Sequence, residues 1–180
     1  MSIRTALITL SLLTCAACTA PDQQGDQEQT EKSAEEAQET ATNLATFDNL
    51  DFDVFSNQEW DRLHESHGKD IIVHWPDGHQ TQGIDVHIED LKAMFVYAPD
   101  MRIKEHPIKF GSGDWTSVVG VLEGTFTKPM PLPDGTSIPP TGKAIKMEMN
   151  TVGHWKDGVM TEEYLFWDNK LFLQQLGLEK

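Results

Sequence analysis

Three side chains carry the chemistry this sequence can be asked to do, and Glu163 is the first. It is the one carboxylate on the alternating line Thr161, Glu163, Leu165, Trp167 of a strand-like run. A carboxyl group on an otherwise apolar wall is poorly solvated. That raises its pKa towards neutrality and suits it to general acid or base work. The plainer readings are an exposed strand glutamate or an ion-pair partner in the core. Asp168 is the second candidate. It could move a proton, or it could cap the following helix by accepting from the amides near Lys170 and Leu171. His74 is the third. Beside Trp75, its imidazole could orient a ligand carbonyl, or pack in the core with its ring nitrogens satisfied.

His64, His67, His74 and His79 raise the question of a metal. A zinc site needs three or four ligands converging at about 2.0–2.3 Å. His64 and His67 share a helical spacing, but the chain has no HExxH pattern and no cysteine beyond Cys15 and Cys18. The sequence therefore assigns no metal and no cofactor.

The elements that must position these residues come in two blocks. Helical spacing dominates first. Phe47, Leu50 and Val54 share a face, Ser56-Asn57-Gln58-Glu59 fits a capping box, and Trp60, Leu63 and His67 continue one stripe. A short strand over 71–75 ends at the turn Pro76-Asp77-Gly78. A helix from about Asp85 carries Ile88, Leu91 and Phe95, and Pro99 stops it. Strands follow over 101–110, 115–127, 144–152 and 159–167, separated by the turns Gly111-Ser112-Gly113-Asp114 and Lys156-Asp157-Gly158 and by a loop over 128–143 with five prolines. In 144–152, Ile145, Met147, Met149 and Thr151 point one way, and Lys146, Glu148 and Asn150 the other, so that strand is half-buried. A short helix over 169–176 ends at Gly177. Helices followed by hairpin-linked strands predict an α+β domain. A curved antiparallel sheet wrapped by those helices would enclose a pocket.

The N-terminus is a different material. Arg4, the apolar run 6–13 and the small residues around Thr14-Cys15-Ala16-Ala17-Cys18 read as a secretory signal. The run is too short to span a bilayer. It resembles a bacterial lipobox, which implies a signal peptide over 1–17 and lipidation of Cys18, which small Ala17 precedes, with Cys15 as the fallback; the plainer reading is an ordinary cleaved signal with incidental cysteines. Two or more acyl chains would then hold the protein to a membrane. Thr19 in place of an aspartate implies, by the same resemblance, the Gram-negative outer membrane, facing the periplasm. Residues 19–46 hold seven acids, one lysine and a single large apolar residue, Leu44. Such a composition predicts a flexible linker, with a helix over 31–44 as the alternative on propensity. Residues 47–180 then form one domain. That domain carries 22 acidic and 12 basic residues, and its negative charge opposes nucleic acid and anionic headgroups.

The order of motifs carries a resemblance. His74-Trp75-Pro76-Asp77-Gly78 precedes Gly83 and a helix ending in Ala98-Pro99-Asp100. Then come Gly124-Thr125-Phe126-Thr127 and Ile138-Pro139-Pro140-Thr141-Gly142-Lys143. Asp157-Gly158 precedes Glu162, Tyr164, Asp168 and Gln174-Gln175-Leu176-Gly177. Over about 47–178 this succession resembles the SnoaL-like polyketide cyclases, or ester cyclases, of the NTF2-like superfamily. The resemblance implies an NTF2-like cone and an intramolecular aldol closure with an aspartate as acid and base. Carried across, that aspartate falls on Leu165. A pocket histidine of the preceding strand falls on Thr151, the histidine after Gly-Thr is Phe126, and a second pocket histidine falls on Glu163. The implied lining is Trp75, Phe126, Met149, Thr151, Leu165 and Trp167. Two functions remain open: a degenerate or repurposed cyclase that binds a small apolar or aromatic molecule, and an active lyase, isomerase or hydrolase using Glu163 or Asp168 with His74. A homodimer through the sheet is a further expectation, which the polar Lys146, Glu148 and Asn150 disfavour.

Overall fold

The computed structural model describes residues 23–179. The signal segment and Cys18 lie outside those residues. Helix α1 (Gln23–Asn49) runs into a π-helical turn (Leu50–Phe55) and then a 3-10 turn (Trp60–Glu65). Strands β1 (His67–His74) and β2 (Gln80–Gln82) precede helix α2 (Ile84–Tyr97). Strands β3 (Arg102–Ile103), β4 (Ile108–Ser112) and β5 (Trp115–Thr125) follow. A miniature hairpin of β6 (Met130–Pro131) and β7 (Ser137–Ile138) interrupts the proline-rich loop. The long strands β8 (Ala144–Lys156) and β9 (Val159–Phe166) and helix α3 (Asn169–Leu176) complete the chain.

The main sheet has the order β2-β1-β9-β8-β5, with β3 and β4 both pairing the far side of β5. All its pairings are antiparallel except β1 with β9, which is parallel. Alternation decides which face is buried. Ile71 and Val73 of β1, Val118 and Leu122 of β5, and Ile145 and Met147 of β8 pack inward against α2 and the π-helical turn. β9 breaks the strict alternation. Its register with both neighbours slips between Met160 and Glu162, so Met160 and Glu163 are both buried while Thr161 is only half-buried. The α+β architecture with a mostly antiparallel sheet under N-terminal helices is the one the sequence predicts.

Four local expectations are corrected. Residues 23–46 are helical rather than a flexible linker. The far end of α1 packs through small polar residues: Thr40 and Asn43 are buried, and the Thr40 hydroxyl donates to the Gly113 carbonyl at 2.9 Å. Gly111 allows this approach, because a Cβ there would lie 2.6 Å from Thr40 Cγ2. Ser56 forms no capping box. Its hydroxyl bonds the carbonyls of Asp51 and Ile103 and accepts from the Ile103 amide, which ties the π-helical turn to β3. His67 begins β1 instead of continuing a helical stripe. The strand expected over 101–110 is split into β3 and β4.

Candidate functional site

Glu163 lies on β9 between Val73 of β1 and Gly153 of β8, near the middle of the sheet's inner face. It is 4% exposed. Two imidazoles converge on its Oε2 atom. His67 Nε2, from the start of β1, is 3.7 Å away, and His87 Nε2, from the first turns of α2, is 3.3 Å away. Both histidines are 2% exposed. The Ser66 hydroxyl sits 2.9 Å from His67 Nδ1 and fixes that ring. His87 faces inward because it shares the α2 stripe of Leu91 and Phe95.

This polar floor closes an inner cavity of about 40 Å³, counted at water centres. That is room for about three water molecules. Its walls are apolar: Leu50 and Phe55 from the π-helical turn, Leu91 and Met94 from α2, Met149 from β8 and Leu165 from β9. Trp75, Met94 and Trp167 also bound a second cavity of about 90 Å³, lined further by Tyr97, Leu122, Met147 and Phe172. The two indoles meet edge-on at 6.3 Å and, with Met94, border both the inner chamber floored by Glu163 and the neighbouring apolar one.

Asp51 reaches the inner chamber from the π-helical turn. His106 holds it from behind: His106 Nε2 is 2.8 Å from Asp51, and Nδ1 is 2.8 Å from Asp48. Lys109 bonds Asp48 in turn. Burial drives the Asp51 carboxyl up from its usual range, and the bond from His106 offsets that only in part. Burial drives His87 down to about 4, against the pull of the Glu163 charge, so its imidazole is neutral near pH 7. For Glu163 burial pushes upward as the sequence suggests, but the facing imidazoles of His67 and His87 outweigh it and hold the carboxyl below its usual range. The expected raised pKa is thereby corrected.

Of the residues singled out in the sequence, Glu163, His67, Trp75, Met149, Thr151, Leu165 and Trp167 line the inner chamber. Five do not. His74 projects from the opposite face of the sheet, where it stacks on Tyr164 at 3.9 Å and lies 3.7 Å from Glu162. Asp168 caps α3, accepting from the amides of Lys170 and Leu171. Phe126 has the inward parity but lies past the end of β5, fully buried under Tyr97. His64 and His79 bond locally, to the Asp61 carbonyl and to the Asp77 side chain. His87 and Asp51 were missed. Each sits inside an apolar helical stripe, and that placement is the signal that could have found them.

A sequence profile described as SnoaL-like polyketide cyclase matches residues 33–176. The chain belongs to the SnoaL-like polyketide cyclase family. Solved relatives share the fold. IdmH of Streptomyces antibioticus, assigned as a polyketide cyclase, superposes with a TM-score of 0.63 at 22% identity, over 75% of this chain and 98% of that one. A protein of Jannaschia sp. CCS1, assigned as a SnoaL-like polyketide cyclase, gives 0.67 at 19%, over 78% and 95%. AclR of Streptomyces galilaeus, assigned as a hydroxylase, gives 0.63 at 14%, over 77% and 82%. No curated protein sequence matches the chain. In this SnoaL-like chain, the ionisable floor of the pocket comes from β9, β1 and α2 together.

Proposed function

We propose that this SnoaL-like domain is an acid–base enzyme acting on a small, largely apolar or aromatic carbonyl compound. One observation carries the reading. Glu163 is buried at the bottom of an apolar pocket with two imidazoles and, among the described residues, no lysine or arginine against it. Asp51 is already engaged by His106, whereas Glu163 Oε2 has no hydrogen-bond partner among the described residues. A ligand body in the neighbouring apolar chamber would turn its carbonyl past Trp75 and Trp167 towards this floor. Proton abstraction next to that carbonyl is the step the floor supports, and it suits a lyase, isomerase or cyclase.

The test needs no knowledge of the product. A panel of small aromatic and alicyclic ketones and keto-esters is incubated with the protein in deuterated water, and exchange at the α-carbon is followed by NMR. Exchange with at least one class is expected, and Glu163→Gln should slow it by about 100-fold or more. His74→Ala and Asp168→Ala should leave it within a few-fold. Exchange that survives Glu163→Gln would overturn the reading.

A second reading, ligand binding without turnover, is favoured by Leu165 at the position where the family resemblance puts an acid–base aspartate. It predicts a molecule that co-purifies from the host and no exchange with any compound. The proposal extends to anchoring. Lipidation at Cys18, with the domain facing the periplasm from the outer membrane, is supported by the composition of residues 1–18. No helix among the described residues is long and apolar enough to cross a membrane. Labelling with an alkyne fatty acid should be lost in Cys18→Ala and retained in Cys15→Ala.

A further inference from the structure

We propose that His67, His87 and Glu163 form a binding site for one divalent first-row transition-metal ion, of the zinc or iron class, with an open coordination position facing the pocket. One ligand atom from each residue lies within 4.8 Å of the other two, and all three residues are buried. The measured separations to Glu163 Oε2, 3.3 Å and 3.7 Å, are close to the spacing of about 3.3–3.5 Å between donors on a tetrahedral ion with bonds of about 2.0–2.2 Å. Two of the donors are also unspent. His67 Nε2 and Glu163 Oε2 are buried with no hydrogen-bond partner among the described residues. Unpaired buried polar atoms are costly, and each one asks for an unseen partner. One ion satisfies both, with His87 Nε2, 3.3 Å from the carboxylate, as its third ligand.

The surroundings fit an ion as well. The Ser66 hydroxyl bonds His67 Nδ1 and leaves Nε2 turned to the site, the outer-sphere arrangement that orients ligating histidines. Two imidazoles and one carboxylate with a vacant position match both catalytic zinc and non-haem iron(II) sites. The inner cavity of about 40 Å³ accommodates an ion with its waters beside the three ligands. This inference deepens the acid–base reading and rests on the same pocket. With an ion bound, Glu163 would become a ligand, and a hydroxide left by ionisation of a water on the ion would take over its role as proton acceptor, becoming water as it takes the proton.

The experiment uses the full chain stripped with a chelator and then titrated with Zn²⁺ and, separately, with Co²⁺ under reducing conditions. Metal content per chain, calorimetric affinity and the visible absorption of Co²⁺ are measured. One ion per chain is expected, with Co²⁺ bands of low-coordinate intensity. His87→Ala and Glu163→Ala should each weaken binding by about 100-fold or more, and Ser66→Ala by about 10-fold. Surface binding at His79 and Asp77 is controlled with His79→Ala, which should change nothing. If a ligand variant fails to fold, the wild-type chain decides: saturating Zn²⁺ should raise its melting temperature, since an ion that binds only the folded state stabilises it. Absence of stoichiometric binding by both ions, or binding that survives His87→Ala in a folded protein, would overturn the site. Exchange by the stripped protein that still depends on Glu163 would leave the acid–base reading standing without the metal. A stoichiometric ion with no exchange on any compound would do the reverse.

Discussion

A carboxylate on each ring nitrogen leaves His106 little choice of charge. With Asp48 and Asp51 both at 2.8 Å, both nitrogens donate, and the ring is an imidazolium. Burial opposes that charge, but the bonds to Asp51 and Asp48 outweigh it and raise the pKa. Lys109 also faces Asp48, and the rings of Phe47 and Phe52 close the other sides. Because the folded value lies above the unfolded one, the stabilisation is complete below about pH 6.5 and is lost as pH rises through the raised value. The melting temperature of the wild-type protein should therefore fall, as pH rises above about 6.5, more steeply than that of His106→Gln. The variant should itself lose about 3 kcal/mol, because Asp51 keeps a buried charge without its partner. Equal slopes in thermal scans of the two proteins would remove this account.

Elements differ in how far their sequence announced them. Helix α3 did so fully: its cap residue Asp168 and its terminator Gly177, at φ 80°, are where the turn chemistry puts them. Asp168→Ala should cost about 1 kcal/mol in chemical denaturation without altering the pocket. Strand β8 was legible too, because one of its faces is buried and the other wet. Helix α1 was legible only as the propensity-based alternative over 31–44, since its buried end docks by Thr40 against Gly111 and Gly113, and a search for apolar stripes passes over small polar contacts. Gly111→Ala tests that docking. Its Cβ would meet Thr40 Cγ2 at 2.6 Å and the Trp115 carbonyl at 2.7 Å, so a loss of about 1–3 kcal/mol is expected in the same assay. The candidate site was half legible. Alternation placed Glu163, Leu165, Met149 and Thr151 on one wall. His67 and His87 are 20 residues apart in sequence, and the parallel β1–β9 pairing with α2 crossing over it brings them together. That is tertiary information, outside the reach of any local pattern.

At the scale of the whole molecule, α1 divides into an exposed arm and a structural part. Residues 26–39 are exposed, whereas Thr40, Asn43 and Phe47 are buried. A chain lacking residues 1–35 should melt within a few degrees of the full one, because only exposed turns are lost. Removing residues 1–47 should destabilise it by more than about 3 kcal/mol, since Phe47 alone fills a core position. The outer face of the sheet is less polar than β8 alone suggests. Ile108, Phe110, Trp115 and Phe166 stand exposed there beside the stacked pair Trp115 and His154. Sedimentation of Phe110→Lys against wild type would test whether two copies pair through this face.

The indole pair makes the protein its own optical gauge. Trp75 and Trp167 border both chambers, so any guest, whether an organic molecule in the apolar chamber or an ion with its waters in the inner one, alters the polarity felt by one ring or the other. Tryptophan emission thus records occupancy without a label, and Trp75→Phe and Trp167→Phe divide the signal between the two rings.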